Sequence, residues 1–294
     1  MLVTRVARDL DDDGASINTR AMTIIVSAFY KFVSLTDCDA LAARLRDELS
    51  TRDIKGTVLL AGEGINATIS GAEPAIDAFL QVLRRDPRFA DLTDKRAQAS
   101  DHPFQKLKVK VKPEIVTFGV PEADPARDVG TYVAPDMWNA LISDPNVIVV
   151  DTRNTYEVQI GSFPGARNPG TERFSDFPEY VRTQLSDAKE KPIAMFCTGG
   201  IRCEKASAYL LTQGFTSVFH LEGGILKYLE NVPKPQSMWH GECFVFDARV
   251  ALDHGVVEGS HALCPGCGTP VLKVAEQSQS DTSPSVCAQC GAAL

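Results

Sequence analysis

The spacing of apolar residues predicts alternating strands and helices in the first third of the chain. Residues 24–33 are rich in β-branched and aromatic side chains, which is typical of a strand. Apolar residues then recur at helical spacing in residues 38–52 and again in residues 73–84. Between these helices, residues 57–70 contain two strand pieces broken by glycines, and residues 104–118 return to a strand pattern. The order β-α-β-α-β predicts a small α+β domain of ferredoxin-like type.

A second pattern begins after residues 119–130, which contain glycines and prolines and read as a linker. Strands that alternate with helices imply a parallel sheet with helices on both faces. Reactive groups in such sheets lie just past the carboxyl ends of strands, where Asp151, Cys197 and Glu222 are found. The predicted strands are residues 147–150, 193–196 and 217–220, and the predicted helices are residues 135–142, 176–184 and 202–213.

Cys197 begins a loop whose composition favours an ionised sulfur. The loop residues that follow it are Thr198, Gly199, Gly200 and Ile201. The glycines allow a tight curl, and a helix is predicted from near Arg202, so that backbone N–H groups and the helix dipole point at the sulfur. Such a setting lowers a cysteine pKa from ~8.5 into the range of about 3.5–7.5. Cys197 is therefore the predicted nucleophile, with Arg202 as a fixed positive charge beside it.

Two alternatives bear on this loop. Cys203 either reacts with Cys197, by closing a disulfide or resolving a persulfide, or merely fills a small-residue position. Cys-loop phosphatases use similar physics, but their arginine lies six positions after the cysteine. Here that position holds Cys203, and the arginine comes one residue earlier. The shorter loop suits a sulfur atom better than a phosphate.

A basic segment stands out in a chain whose net charge is −8. Residues 84–112 contain nine basic and four acidic residues. Four lysines alternate with apolar residues and would share one face of a strand, where a nucleic-acid backbone is a natural partner. The alternative is a solvated edge that discourages aggregation. The aromatic residues Tyr30, Phe32 and Phe104 are better interpreted as core positions than as base-stacking groups. The four lysines are Lys106, Lys108, Lys110 and Lys112.

Four of the eight cysteines form two CxxC pairs near the C-terminus. Each pair is followed by glycine, which permits the turn that brings two sulfurs together. Four thiolates at this spacing predict a structural zinc site of zinc-ribbon type, and two disulfides are the alternative. A closed site of this kind would not be catalytic. The predicted ligands are Cys264, Cys267, Cys287 and Cys290.

Composition and segment character predict a cytoplasmic protein. Clustered cysteines without a secretion signal favour a reducing compartment, and no run of 18 apolar residues predicts a membrane span. The acidic start of the chain does not resemble a signal or transit peptide. The predicted organisation is a flexible leader at 1–20, a ferredoxin-like domain at 21–118, a linker at 119–130, an α/β domain at 131–235 and a C-terminal extension at 236–294.

Three motifs in the α/β domain resemble those of rhodaneses. They are Asp151-Thr152-Arg153 with Glu157, the segment 161–166, and Leu221-Glu222-Gly223-Gly224-Ile225. The resemblance implies that Cys197 corresponds to the persulfide-forming cysteine of that family. We expect Asp151 and Arg153 to brace the loop and sheet rather than to perform chemistry.

The resemblance extends over most of residues 24–255. The segments 28–32, 62–71, 197–205 and 241–247 are similar to those of the bacterial tRNA uridine hydroxylases. This resemblance implies oxygen-dependent formation of 5-hydroxyuridine at the tRNA wobble position, with Cys197 as the catalytic cysteine. It also implies a ferredoxin-like or acylphosphatase-like N-terminal domain, and tRNA as the partner.

The residues themselves support a cysteine-based reaction without identifying the oxidant. A cysteine that adds to C6 of uracil would activate C5, which is our hypothesis for Cys197. Oxygen chemistry usually needs a metal, a flavin or another electron carrier. The chain has no GxGxxG fingerprint, and its five histidines form no evident iron triad, so the electron donor is unknown. The alternative functions are persulfide sulfur transfer and non-catalytic binding of tRNA or protein.

Overall fold

The computed structural model describes residues 23–273 and 286–294. The predicted flexible leader at 1–20 lies outside the described residues. The first sheet has the order β4-β1-β3-β2-β5, and only the β2–β5 pairing is parallel. Its first four strands have ferredoxin-like order and connections, which confirms that prediction. The elements of this domain are β1 (Ile24–Phe32), α1 (Cys38–Ser50), β2 (Lys55–Ala61), β3 (Gly64–Ala72), α2 (Glu73–Leu83), β4 (Lys95–Ala99) and β5 (Leu107–Val111).

Both helices of this domain cover one face of the sheet. Alternate strand residues such as Phe29, Val58 and Ile69 are buried in a core with the apolar faces of α1 and α2. The residues between them point to the opposite face, which carries no helix of this domain. That second face turns toward the remainder of the chain.

The structure refines the predicted pattern at three points. The two strand pieces predicted in residues 57–70 are β2 and β3, and the glycines at 62–64 lie in the turn of their hairpin. Strand β4 was missed because its sequence, Lys-Arg-Ala-Gln-Ala, has no apolar alternation. The expected strand at 104–118 is confined to β5, and the chain beyond it is irregular.

The second sheet is parallel, with the order β6-β10-β9-β7. Strand β6 was missed because it has only three residues. The elements are β6 (Thr131–Val133), α3 (Pro135–Ile142), β7 (Ile148–Asp151), α4 (Thr155–Val158), β8 (Gly161–Ser162), α5 (Phe177–Tyr180), β9 (Ile193–Phe196), α6 (Ile201–Thr212), β10 (Val218–Leu221) and α7 (Gly224–Asn231).

Helices cover both faces of this sheet, as predicted. Ile193 and Met195 of β9 pack with α5 and α6 on one face. Ala194 and Phe196 pack with α3 and α7 on the other. Because β9 is central and buried on both faces, its carboxyl end is a rigid place from which to present a side chain.

The C-terminal extension adds short strands around this domain. Strand β11 pairs with β8, strands β12, β13 and β14 form a small antiparallel sheet, and β15 pairs with β16. Within the described residues, no helix is long and apolar enough to cross a membrane. The strands are β11 (His240–Gly241), β12 (Cys243–Phe244), β13 (Ala251–Asp253), β14 (Val257–Glu258), β15 (His261–Leu263) and β16 (Pro270–Leu272).

Candidate active site

Cys197 lies at the carboxyl end of β9 with its sulfur enclosed by the loop that follows. The backbone N–H of Gly200 donates a hydrogen bond to Cys197 Sγ at 3.1 Å. Gly200 has φ of +104°, a conformation that glycine adopts without strain. The start of α7 closes over the loop, and a Cβ at Gly224 would stand 2.5 Å from the Cys197 carbonyl oxygen. Glycine is thus required at both positions, because a side chain at Gly200 would be strained and one at Gly224 would clash with the loop.

The environment of Cys197 favours the thiolate. Burial alone would raise the pKa of this thiol. The Cys203 side chain and the Arg202 charge outweigh burial and, with the loop amides, lower the pKa of Cys197 to about 5. Burial and the neighbouring Cys197 raise the pKa of Cys203, so that Cys203 stays protonated beside the thiolate. The structure therefore brings together Cys197, Arg202 and Cys203, the three residues predicted to be catalytic.

Arg202 is held by a carboxylate rather than aimed at the sulfur. Its guanidinium donates to both oxygens of Glu157, at 2.6 and 2.7 Å, and to Thr198 Oγ1 at 3.1 Å. Glu157 is fully buried on α4, where it also accepts a hydrogen bond from the Asn154 backbone N–H at 3.0 Å. Burial raises the pKa of Glu157, but the charge and hydrogen bonds of Arg202, together with the Arg153 charge, bring the pKa below its usual value. The pair fixes the loop and keeps one positive charge near Cys197.

A second buried ion pair supports the neighbouring strand end. Arg153 donates to both oxygens of Asp151, at 2.8 and 2.6 Å, and both side chains are fully buried. Arg153 also donates to the Gly161 carbonyl oxygen, and Ser162 donates to Asp151 at 2.9 Å. These contacts tie β7 to β8 and leave neither charge free to act on a substrate.

An interdomain cleft of about 760 Å³ opens beside the Cys197 loop. The N-terminal domain contributes Tyr30 and Lys95, and the Lys95 ammonium lies 5.3 Å from the centre of the Tyr30 ring. The Tyr30 hydroxyl donates to Glu204 Oε1 at 2.7 Å and would stand 2.7 Å from a Cβ at Gly200. The N-terminal domain therefore contacts the Cys197 loop directly. The rhodanese-like domain contributes Tyr132, Glu204, Glu222, Gly223 and Lys227.

Burial alters the acid–base properties of the cleft. It raises the pKa of Glu204 even though Tyr30 donates a hydrogen bond to its carboxylate. It lowers the pKa of Lys95, although the negative charges of Cys197 and Glu204 oppose this effect. An acid with a raised pKa and a base with a lowered pKa thus adjoin the loop of the predicted nucleophile.

A buried lysine joins the two domains at the start of α6. Lys205 is 2% exposed, and its ammonium donates to Glu63 and, at 3.1 Å, to Glu114. Glu63 also accepts a hydrogen bond from the Ile115 backbone N–H at 2.8 Å. This cluster connects the β2–β3 turn, the chain after β5 and α6, and so sets the position of the N-terminal domain over the cleft.

Family models and one relative identify the chain's family. The model described as UPF0176 acylphosphatase like domain matches residues 24–115, and the rhodanese-like domain matches residues 134–231. A tRNA uridine(34) hydroxylase of Teredinibacter turnerae is 53% identical over 266 residues, which are 90% of this chain and 83% of that protein. The chain belongs to the tRNA uridine(34) hydroxylase family.

Solved structures show a weaker likeness to this hydroxylase family member. A rhodanese-like domain from Anabaena sp. is 18% identical, with a TM-score of 0.32, and covers 37% of this chain and 78% of that one. A rhodanese-related protein from Thermoplasma volcanium is 22% identical, with a TM-score of 0.28, and covers 35% of this chain and 93% of that one.

Several site residues of this hydroxylase family member were not found from its sequence. Tyr30 and Phe32 were interpreted as core positions, and that interpretation is wrong, because both are half-buried and line the cleft. Period-two alternation from the buried Phe29 would have placed them on the opposite face. Lys95 gave no signal, since it lies on the unpredicted strand β4. Glu157 was noted in the sequence only as part of a rhodanese-like motif, without a role in the site.

The four predicted tRNA-binding lysines lie away from the cleft. Lys106, Lys108, Lys110 and Lys112 are all exposed, along and beside β5. This strand forms the sheet edge opposite β4, which borders the cleft. The structure therefore groups the lysines with one another but not with Cys197.

The four C-terminal cysteines come together as one cluster. Their sulfur atoms all lie within 4.8 Å of one another, with Cys264–Cys290 at 3.6 Å and Cys267–Cys287 at 3.8 Å. A tetrahedron with metal–sulfur bonds of about 2.3 Å has edges of roughly 3.8 Å. The cluster thus has the chemistry and size of a four-cysteine metal site.

Titration of Cys197 provides a direct check on the loop. The thiolate absorbance that is lost in Cys197→Ala should titrate with a midpoint near pH 5, because the pKa is lowered to about 5. The matched control is Cys243→Ala, which removes another buried thiol. Burial raises the pKa of Cys243 to about 12, so its absorbance should be absent at neutral pH. A Cys197 midpoint above pH 8 would contradict the account of this loop.

Proposed function

We propose that this protein hydroxylates uridine 34 of tRNA to 5-hydroxyuridine in an oxygen-dependent reaction, with Cys197 as its nucleophile. The observation that carries the proposal is the loop that encloses Cys197 Sγ, with the Gly200 N–H at 3.1 Å from the sulfur, beside an interdomain cleft. The surroundings of the sulfur lower the pKa of Cys197 to about 5. The named relative, a tRNA uridine(34) hydroxylase, supports the substrate and the reaction. The cleft volume of about 760 Å³ is sufficient for a nucleotide that has left its base stack.

In the proposed reaction, a bond forms between Cys197 Sγ and C6 of the uracil. The electrons of the C5–C6 double bond move toward C5 and O4, and C5 then takes one oxygen atom from O2. A small-molecule reductant supplies two electrons, and two protons are consumed overall as the other oxygen atom becomes water. Loss of the C5 proton and departure of the thiolate restore the double bond. The low pKa of Cys197 makes it a competent leaving group in that last step.

Within this reaction we assign supporting roles to the rest of the loop. Arg202 maintains the positive charge that favours the thiolate, and the protonated Cys203 lies beside the thiolate and helps to lower its pKa. The loop residues Thr198, Gly199, Gly200 and Ile201 shape the curl around the sulfur. We assign Tyr30, which lines the cleft, to the uracil carbonyl groups, where negative charge develops on addition.

We assign tRNA backbone contacts to Lys106, Lys108, Lys110 and Lys112. The four lysines are all exposed along and beside β5, which supports these contacts. Adjacent ammonium groups repel one another unless an anion lies between them. Since tRNA is the proposed substrate, and clustered cysteines favour a reducing compartment, we place the reaction in the cytoplasm.

Isotope transfer tests this function. Purified protein, unmodified tRNA and a thiol or flavin reductant would be incubated under isotopically labelled oxygen gas. We expect one labelled oxygen atom in uridine 34 with the parent protein and none with Cys197→Ala. Label in water but not in uridine would contradict the proposed transfer.

Persulfide sulfur transfer is the second candidate. The Gly200 amide that faces Cys197 Sγ, and the rhodanese-like family model, both suit a persulfide. Turnover of thiosulfate and cyanide, without any change in tRNA, would favour this function over hydroxylation.

We propose that the C-terminal cluster holds a structural zinc ion on Cys264, Cys267, Cys287 and Cys290. Elemental analysis should find one zinc per chain, and Cys267→Ser with Cys290→Ser should lose it. Because four cysteines close the coordination shell, the thiolate titration of Cys197 should be unchanged in this variant. A zinc-free protein whose intact mass corresponds to two disulfides would contradict the proposal.

A further inference from the structure

The open face of the N-terminal sheet carries one row of side chains that crosses all five strands. Strand register pairs Lys95 with Ala28, Ala28 with Thr68, Thr68 with Thr57, and Thr57 with Lys108. The three central side chains are small, and a lysine stands at each end. Four interstrand spacings make the row about 19 Å long. No acidic side chain belongs to it.

Alternation places this row on the face that carries no helix of its own domain. The neighbours Phe29, Ala67, Val58 and Val109 are buried in the core under α1 and α2. The row residues point the other way, where Ala28, Thr57, Thr68 and Lys95 are half-buried and Lys108 is exposed.

Covered residues flank the row on both sides and make it a trough. On one side, the Asn66 amide donates to the Ile115 carbonyl oxygen at 2.9 Å, so the chain after β5 lies over that part of the sheet. On the other side, Ser70 is bonded to His102 at 2.9 Å, and the Ala248 N–H donates to the Pro103 carbonyl oxygen at 3.2 Å. Each flank is two residues along the strands from the row, or about 7 Å. The strip between the flanks is about 14 Å wide, which suits a single strand better than a duplex.

We infer that this trough binds the single-stranded anticodon loop of the substrate RNA, with phosphates at Lys108 and Lys95. The inference rests on the proposed function and deepens it, because it identifies the path that leads uridine 34 to the cleft. Lysines at the ends complement phosphates, and the threonine hydroxyls of Thr57 and Thr68 can hydrogen-bond ribose 2′-hydroxyls. Lys95 ends the row inside the interdomain cleft, next to Tyr30. A strand in the trough therefore ends in the cleft, beside the loop that contains Cys197.

The test measures binding of an unmodified anticodon stem-loop RNA to the full chain carrying Cys197→Ala, so that no turnover occurs. Lys108→Ala should weaken binding about fivefold and reduce the slope of log affinity against log salt by roughly 0.7, as expected for one single-strand phosphate. Thr68→Tyr fills the floor of the trough without changing charge. It should weaken binding at least about tenfold and leave the salt slope unchanged.

Controls separate this inference from the proposed function. Lys189→Ala removes an exposed lysine of the rhodanese-like domain and should bind like the parent. A duplex with the same stem sequence should bind weakly and equally to all variants. If the Cys197→Ala background binds the stem-loop and the protein with Cys197 intact hydroxylates it, while Lys108→Ala and Thr68→Tyr bind as tightly as Lys189→Ala, the trough is not the RNA path and the function stands. If the parent does not bind the stem-loop, both proposals fail.

Discussion

Replacing Glu157 with alanine should lower the free energy of unfolding by about 3–5 kcal/mol, the usual cost of leaving a buried charge without its partner. Glu157 is fully buried, and the Arg202 side chain that it pairs with is 8% exposed. The carboxylate also accepts from the Asn154 N–H, so the start of α4 loses a cap as well. Denaturant unfolding, followed by tryptophan fluorescence, measures the change.

The matched control is Glu179→Ala, which breaks an ion pair with Arg182 between side chains that are more than half exposed. It should cost less than about 0.5 kcal/mol. The double variant Glu157→Ala, Arg202→Met should recover part of the loss, because it leaves no unpaired charge. Equal, small losses for Glu157→Ala and Glu179→Ala would show that the Arg202 pair does not stabilise the loop.

Replacing Lys205 with methionine should loosen the N-terminal domain from the rhodanese-like domain. Methionine retains the aliphatic volume but leaves Glu63 and Glu114 facing each other without a cation. Since these carboxylates are about one fifth exposed and can hydrate in part, we expect a cost of about 2–4 kcal/mol rather than the full penalty for buried ions. Limited proteolysis in residues 119–130 should become faster.

The same variant should lose activity without losing the thiolate. The ratio kcat/KM for tRNA should fall at least about tenfold, because Tyr30 and Lys95 reach the cleft from the displaced domain. The Cys197 titration should be unchanged, since its own loop is intact. Lys234→Met, which breaks an exposed pair with Asp253, is the control and should match the parent. Full activity of Lys205→Met would contradict a functional role for the domain contact.

Most of the fold follows from apolar periodicity, and the exceptions have a common cause. The buried strand β9 and the amphipathic helix α2 have strong internal patterns and were predicted nearly to the residue. Strands β4 and β6 are edge strands that depend on a neighbour rather than on their own side chains. A polar segment of five residues and a segment of three residues contain no periodicity to detect.

The residues of the candidate site also divide into those that local sequence predicts and those that depend on distant neighbours. The Cys197 loop is local in sequence, so its glycines, Arg202 and Cys203 could be interpreted together. Tyr30 and Lys95 reach the cleft only because two domains pack, and that packing depends on pairs such as Lys205 with Glu63, which are distant in the chain. The pattern of apolar and polar residues in one sequence gives no information on contacts between residues that are distant in the chain.

The central claim is that Cys197 performs the hydroxylation of uridine 34, and nucleoside mass spectrometry of cellular tRNA tests it most directly. A host that lacks its own hydroxylase would express the parent protein, Cys197→Ala or Cys38→Ala. Cys38→Ala is the control, because it removes a thiol that packs against the core of the N-terminal domain. We predict 5-hydroxyuridine with the parent and with Cys38→Ala, and none with Cys197→Ala. The modified nucleoside at parental levels in the Cys197→Ala strain, or its absence in the parent strain, would contradict the account.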